Sequence, residues 1–313
     1  MVEIVSIGEA LVEVMRPRDG APLAERGTFL GPYPSGAPAI FADAAARLGH
    51  DAGFVGCVGA DAFGRCLSEH LRSDGVNMNH LAIVSETTTG VAFVRYEADD
   101  REFLYHMENA AAGMLSPEMV PVEYVADASV FHLNGSTIAV SDRVRDACRR
   151  ALEVAVENDV SVSLDPNLRT ELLNDVTPAE LLDPFLSNCD MVSPTAAEAK
   201  SMAGVNETDA AVEWFFDRGC DLVALKRGAD GATLYTDSKS VAVDPIDVTE
   251  VDPTGAGDAF GAGIVTAMLE DRSLREIGRF AAVVGGEAVS AQGPMEGLPT
   301  RDRVDSILES AYD

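Results

Sequence analysis

Lysine is almost missing from this chain. Three of its 313 residues are lysine (Lys200, Lys226 and Lys239), and the 23 basic residues face 52 acidic ones for a net charge of −29. A surface so negative repels phosphate backbones, which argues against nucleic acid as a partner. The acidic residues run through the whole chain rather than forming a tail, so they read as a solvated surface. Abundant Asp and Glu with scarce Lys look like adaptation to a high-salt cytoplasm, where screening weakens self-repulsion.

Cysteine and histidine are sparse and dispersed, five of each, with no metal-ligand spacing. Reduced structural thiols are expected, and a catalytic zinc centre is not. No run of 18 apolar residues occurs, so no transmembrane helix and no membrane partner are expected. The opening "MVEIVSIGEALVEV" lacks a basic n-region and reads as a first strand, consistent with a cytoplasmic protein. Two nucleotide motifs are also absent. No Gly-Lys pair exists, which excludes a P-loop, and "SIGEALVEV" carries no Gly-x-Gly-x-x-Gly, which argues against a Rossmann dehydrogenase.

What is present is an alternation. Short β-rich runs, Glu3–Gly8, Ala52–Gly59, Ala128–Gly135, Val160–Pro166, Asp190–Pro194 and Leu222–Gly228, alternate with helical patterns such as Pro38–Gly49, Ala62–Gly75 and Ser141–Asn158. Such alternation implies βα units around a mostly parallel sheet covered on both faces, a three-layer α/β/α domain spanning residues 1–313. Two stretches break the rhythm. Gly90–Met107 reads as a hairpin around the acidic turn Glu97–Arg101, and roughly Leu11–Tyr33 as irregular β structure. These are either a small β-sheet lid or ordinary edge strands.

The segment "EVDPTGAGDAFGAGIVTAML" (Glu250–Leu269) sets four glycines and two aspartates in an apolar run. Gly disfavours a helix interior by about 1 kcal/mol relative to Ala, and a buried carboxylate is costly unless hydrogen-bonded. Thr254 can cap a helix here. Free amides at that helix start would bind an anion, and Asp258 in its first turn could take a proton from a hydroxyl. A tight turn with a capping acid would leave a similar trace.

The string "DPTGAGDAFGAG" (Asp252–Gly263) is similar to the C-terminal signature of the ribokinase-like (PfkB) carbohydrate kinases. "IGEALVEV", "SGAPAIFADAAARLG", "VGADAFGRCLSEHLRSDGVN", "LDPNLR" and "LKRGADGA" resemble further family segments in family order. The resemblance implies an ATP- and Mg²⁺-dependent sugar kinase, with room for a monovalent cation. It makes Asp258 the catalytic base and Gly255, Ala256 and Gly257 the anion hole. It places Thr195, Lys226, Gly228, Gly231 and Thr254 at the nucleotide, and Glu198 indirectly at Mg²⁺. At the sugar it places Glu13, Gly36, Ala37, Tyr105 and Arg169, and it makes Ser290–Thr300 the loop beside the adenine. A homodimer through the lid strands belongs to the same set of expectations.

Several of these residues have plainer readings. Lys226 could be a snorkelling surface lysine, Glu198 an exposed helix acid, Arg169 half of a surface ion pair, and Asp165 with Asn167 an Asx turn around Pro166. The chain also departs from the family. Ile40 stands where an Asn usually bonds the sugar, Thr195 replaces the Asn of an Asn-x-x-Glu motif, and Met107 stands near an arginine of 2-keto-3-deoxygluconate kinases. The acceptor expected is 2-keto-3-deoxygluconate or a ketose such as fructose. A nucleoside kinase of the same fold and a non-catalytic sugar- or nucleotide-binding protein are the competing readings.

Overall fold

The computed structural model describes residues 2–18, 20–97, 100–173 and 176–312. Its strands, in chain order, are β1 Ile4–Glu9, β2 Leu11–Met15, β3 Leu30–Ser35, β4 Ala52–Gly59, β5 Asn77–Val84, β6 Gly90–Glu97 and β7 Asp100–His106, then β8 Val130–Asn134, β9 Ser161–Asp165, β10 Met191–Val192, β11 Leu222–Lys226, β12 Ala232–Tyr235 and β13 Ser240–Val243. Nine of them form one sheet in the order β13-β12-β11-β10-β9-β8-β1-β4-β5. Every pairing from β5 across to β11 is parallel, and only the two pairings made by β12, with β11 and β13, are antiparallel.

The sequence explains why this sheet is covered on both sides. Successive side chains on a strand point to opposite faces, and here both sets are apolar. Val5, Ile7, Val55, Cys57, Phe131, Leu133, Val223 and Leu225 enter one buried cluster. Ile4, Phe54, Val58, Val130, Leu222 and Ala224 enter the other. The helix Asp142–Glu157 contributes to the first, and the helices Ala37–Arg47, Ala256–Leu269 and Leu274–Ala288 to the second. The result is a three-layer α/β/α fold.

The two stretches that break the βα rhythm do form a separate sheet, of order β3-β2-β6-β7. β2 pairs parallel with β6 and antiparallel with β3, and β6 with β7 makes the hairpin. Part of the acidic turn expected at Glu97–Arg101 lies outside the described residues. The expected β structure over Leu11–Tyr33 is confined to its two ends. Between them the chain wraps a fully buried Arg16, whose guanidinium donates to the carbonyls of Thr28, Pro22 and Glu25 and lies over the Phe29 ring at 3.9 Å. β5, β12 and β13 lie outside the strand candidates named from the sequence: "NMNHLAIV" is too polar, and "ATLY" and "SVAV" too short, to register as buried strands.

Candidate active site

Chain order along the large sheet reverses between β1 and β8, and ligands of open α/β sheets bind at the carboxyl ends of strands beside such a point. β1 ends at Glu9, β8 at Asn134 and β9 at Asp165. A cavity opens there, between these strand ends, the start of the helix Ala256–Leu269 and the inner face of the small sheet. Its walls include Glu9, Glu13, Gly36, Ala37, Ile40, Phe103, Tyr105, Met107, Ser136, Asn167, Arg169, Thr254, Gly255 and Asp258.

Asp258 is 5% exposed and receives two side-chain amides on one oxygen: Asn167 Nδ2 at 2.8 Å from Oδ1 and Asn134 Nδ2 at 3.4 Å. Burial, and then the neighbouring Asp165 carboxylate, push its carboxyl up to about 8. Lys226 and Arg169 oppose that rise. A carboxylate whose proton affinity lies near neutrality suits proton transfer from a hydroxyl. Lys226 Nζ lies 2.5 Å from Asp165 Oδ2 in a buried ion pair, so it is no snorkelling surface lysine. It lies against the helix start, where a Cβ at Gly257 would come within 3.2 Å of Lys226 Nζ. Asp165 also accepts the Asn167 backbone N–H at 3.0 Å, so the Asx turn is real and at the same time aims Asn167 at Asp258.

The expected Thr254 cap is not formed. Gly255 is the capping residue, in a left-handed conformation (φ +83°), and no side chain caps the helix. A Cβ at Gly255 would lie 2.3 Å from the Pro294 carbonyl oxygen, so this position requires Gly. The Ala256 N–H makes a long bond to the Pro253 carbonyl at 3.4 Å, and no side chain takes the other amides of the first helical turn, which leaves them for an anion. The Thr254 hydroxyl donates instead to Asp252 Oδ1 at 2.7 Å and accepts from Arg101 Nη1 at 2.7 Å.

On the other side of the cavity, Glu13 accepts from Ser35 Oγ at 2.6 Å, while its Oε2 is buried without a donor. Burial pushes this carboxyl up to about 7. Gly36 holds φ +112°, and a Cβ there would meet the Glu9 carbonyl oxygen at 2.3 Å. Arg169 does not form a surface ion pair; its guanidinium faces the cavity with the Phe103 ring at 5.4 Å, and Tyr105 stacks on Phe103.

Seven expected residues do not line this cavity: Ala256, Gly257 and Lys226 at the helix start beside it, and Thr195, Glu198, Gly228 and Gly231 farther along. Thr195 caps the helix Ala196–Ala203 in a reciprocal capping box with Glu198 and bridges to Lys226 on β11. Glu198 is not a free surface acid: Oε1 accepts the Leu168 N–H at 2.7 Å, and Oε2 accepts the Thr195 N–H at 2.7 Å and hydroxyl at 2.8 Å. Gly228 opens a one-turn segment after β11 and Gly231 follows it, both with positive φ. Sequence reasoning missed Glu9, Ser136, Asn134 and Phe103. Glu9 is buried and accepts from the Ser136 hydroxyl at 2.8 Å and from Thr137. The acid ending the first strand in "IGE" was the available signal, since a strand buried on both faces has no other reason to end on a carboxylate.

The family model for "pfkB family carbohydrate kinase" matches residues 1–301. The chain belongs to this family. It is a carbohydrate kinase, transferring a phosphoryl group from ATP to a hydroxyl with Mg²⁺. The kinase is 33% identical over 318 residues to a probable fructokinase-4 of Arabidopsis thaliana, covering 98% of this chain and 96% of the plant protein. A putative ribokinase II from E. coli, solved with ATP and Mg²⁺, matches with a TM-score of 0.93 at 34% identity, covering 99% of this chain and 100% of that one. A fructokinase from Vibrio cholerae O395, solved with fructose, ADP and calcium, matches at 0.84 and 25% identity, covering 98% and 99%.

The residues present fit ATP and Mg²⁺. Helix-start amides that no side chain caps, beside Lys226, suit a polyphosphate. When bound, Mg²⁺ would offset the negative charge of the phosphate oxygens. With both Glu198 oxygens already accepting hydrogen bonds, that carboxylate would reach the ion through its water shell. Among the described residues, one group brings three donor atoms within 4.8 Å of one another, Asp43, His70 and Asp74, and none of these lines the cavity.

Proposed function

We propose that this kinase phosphorylates a ketohexose, with fructose as the substrate to test first. The observation that carries the reading is a set of unpaired acceptors. Glu13 Oε2 and Asn167 Oδ1 are buried in or beside the cavity without donors, and a polyol supplies the hydroxyl donors they lack. In this reading Asp258, oriented by Asn167 and Asn134, removes the proton of the attacking hydroxyl. The amides of Gly255, Ala256 and Gly257 and the Lys226 ammonium stabilise charge on the transferred phosphoryl group. The small sheet covers the sugar as a lid, with Phe103 and Tyr105 against it. The similarity to fructokinases supports the same substrate class.

One observation favours an acidic sugar such as 2-keto-3-deoxygluconate as a second reading: the Arg169 guanidinium faces the cavity. Against it, Met107 is buried in the cavity wall and brings no second cation. A homodimer through the outer face of the small sheet is part of the proposal. That face carries Leu104, 48% exposed, and Phe29 packed edge-on against Phe93.

The test is ADP release in high salt with fructose, 2-keto-3-deoxygluconate, ribose, glucose and nucleosides. Turnover with fructose at least tenfold above the others is expected. Preference for the keto acid would replace the ketose reading, preference for a nucleoside would move the kinase to another branch of the family, and no turnover with any would sink the substrate assignment.

A further inference from the structure

The small sheet is fastened to the segment that opens the anion-binding turn at several points. Arg101 on β7 and Tyr96 on β6 face each other across one rung of the hairpin. Arg101 Nη1 donates to Thr254 Oγ1 at 2.7 Å. A hydroxyl has one proton to give, and Thr254 gives its own to Asp252 Oδ1 at 2.7 Å, so the guanidinium is the donor its lone pair requires. Gln292 Nε2 reaches Tyr96 Oη at 3.0 Å and Asp252 Oδ2 at 2.8 Å, and the Gly293 N–H donates to the same oxygen at 2.9 Å. Asp252 is fully buried, with both oxygens bonded within this circuit. From the loop after β2, Arg18 adds contacts to Glu250 at 2.8 Å and to the Val251 carbonyl at 3.1 Å. The residue after Thr254 is Gly255, whose left-handed backbone opens the anion-binding turn.

We propose that Arg101 is a positioning residue: through Thr254 it couples the placement of the sugar-covering sheet to the conformation of the anion-binding turn, so that closing over the sugar also orders the site that receives the phosphoryl group. Several observations support it. A single hairpin rung carries both the Arg101 and the Tyr96 links, so the sheet cannot shift without straining both. Thr254 lies one residue from the turn, with no flexible spacer between them. The charge of Arg101 also reaches Glu13 on the sugar side, where it opposes the burial that raises that carboxyl. A phosphate site ordered only under a closed sheet would restrict transfer to the sugar hydroxyl rather than water. The proposal rests on phosphoryl transfer at Asp258 and Gly255 and is independent of which sugar is used.

The test is hydrogen exchange on the full-length, ligand-free protein in high salt, comparing wild type with Arg101→Gln, Thr254→Val, the double variant and Arg101→Lys. Arg101→Gln and Thr254→Val are each expected to raise exchange at least fivefold in peptides covering 252–257 and 90–106 together, with the double variant no worse than either single. Arg101→Lys keeps one donor and should fall between. With the sugar identified by turnover, Arg101→Gln should lower kcat at least tenfold while the KM for ATP changes less than threefold. Unchanged exchange at 252–257 in Arg101→Gln, or effects that multiply in the double variant, would overturn the coupling. Because the exchange measurement needs no sugar, failure of the fructose assignment leaves this test intact.

Discussion

Asn167 donates its side-chain amide to Oδ1 of Asp258 at 2.8 Å while its own backbone N–H is held by Asp165. The residue that orients the proposed base is thus itself fixed by the acid that anchors Lys226. Replacing Asp258 by Asn keeps the shape and removes the proton acceptor. Asp258→Asn should therefore lower kcat by about 10²–10⁴ with little change in the KM for ATP, measured by ADP release. Asn167→Ala leaves the carboxylate but releases its orientation, and a smaller loss, about tenfold, is expected. Turnover by Asp258→Asn at the wild-type rate would remove it as the base.

The pH dependence follows from the same contacts. Asp258 must be ionised to act, and burial with Asp165 nearby holds its carboxyl up at about 8. The acid limb of kcat/KM, which reports the free enzyme, should rise to a plateau at or above that pH. Asp165→Asn removes the neighbouring anion and frees Lys226, both of which favour the ionised form, so the limb should move to lower pH. Stability carries the opposite trend. The folded value lies above the carboxylate's ordinary 3.8, so the folded chain binds the extra proton. The associated stability is complete below about pH 4 and is lost as pH rises through about 8. Asp258→Asn should thus gain in melting temperature relative to wild type as pH rises from 5 to 9. A constant difference over that range would contradict the raised value.

How far the sequence reaches depends on what kind of signal each residue leaves. The parallel sheet was legible because strands buried on both faces run almost continuously apolar, as in "AGFVGCVG", which matches β4 residue for residue. Gly255 and Gly257 were legible as a backbone site, and the structure supplies the reasons: the Pro294 carbonyl against one and Lys226 against the other. Gly263 has a different cause, since a Cβ there would lie 2.8 Å from Ala281 Cα in the packed neighbouring helix. The roles of Asn134, Arg101 and Gln292 were not legible. Each acts on a group far away in the chain, 124, 153 and 40 residues distant for the bonds to Asp258, Thr254 and Asp252. Local pattern carries no trace of such pairings. Thr254 shows the converse: a residue type that commonly caps helices is drawn instead to a buried carboxylate two residues before it.

Salt dependence tests the composition. With a net charge of −29 on 313 residues, like charges crowd the folded surface more closely than the unfolded chain. At 0.1 M salt the screening length is about 10 Å, and at 1 M about 3 Å. The melting temperature should rise by at least 10 °C between 0.1 and 2 M KCl, with activity following. Sodium chloride should act similarly if screening is the cause. A melting temperature unchanged across that range would separate the acidic composition from any need for salt.

The pair His70 and Asp43 gives a second pH effect, away from the cavity. Asp43, fully buried on the helix Ala37–Arg47, meets His70 Nε2 at 3.2 Å, and Asp74 and Arg47 complete the cluster. Burial pushes the Asp43 carboxyl up to about 6, and the hydrogen bond to Asp43 holds the imidazole above its ordinary value. Both groups therefore bind protons more tightly in the folded chain. The carboxyl's contribution to stability fades between about pH 4 and 6, and that of His70 as pH rises through its elevated value above 6.5. Above that range the folded chain is left with a buried carboxylate facing a neutral ring. Asp43→Asn should accordingly destabilise the protein near pH 6 and become neutral or stabilising at pH 9, read as a crossing of the two melting-temperature curves in high salt. Parallel curves would mean that this ion pair does not change its charge over that range.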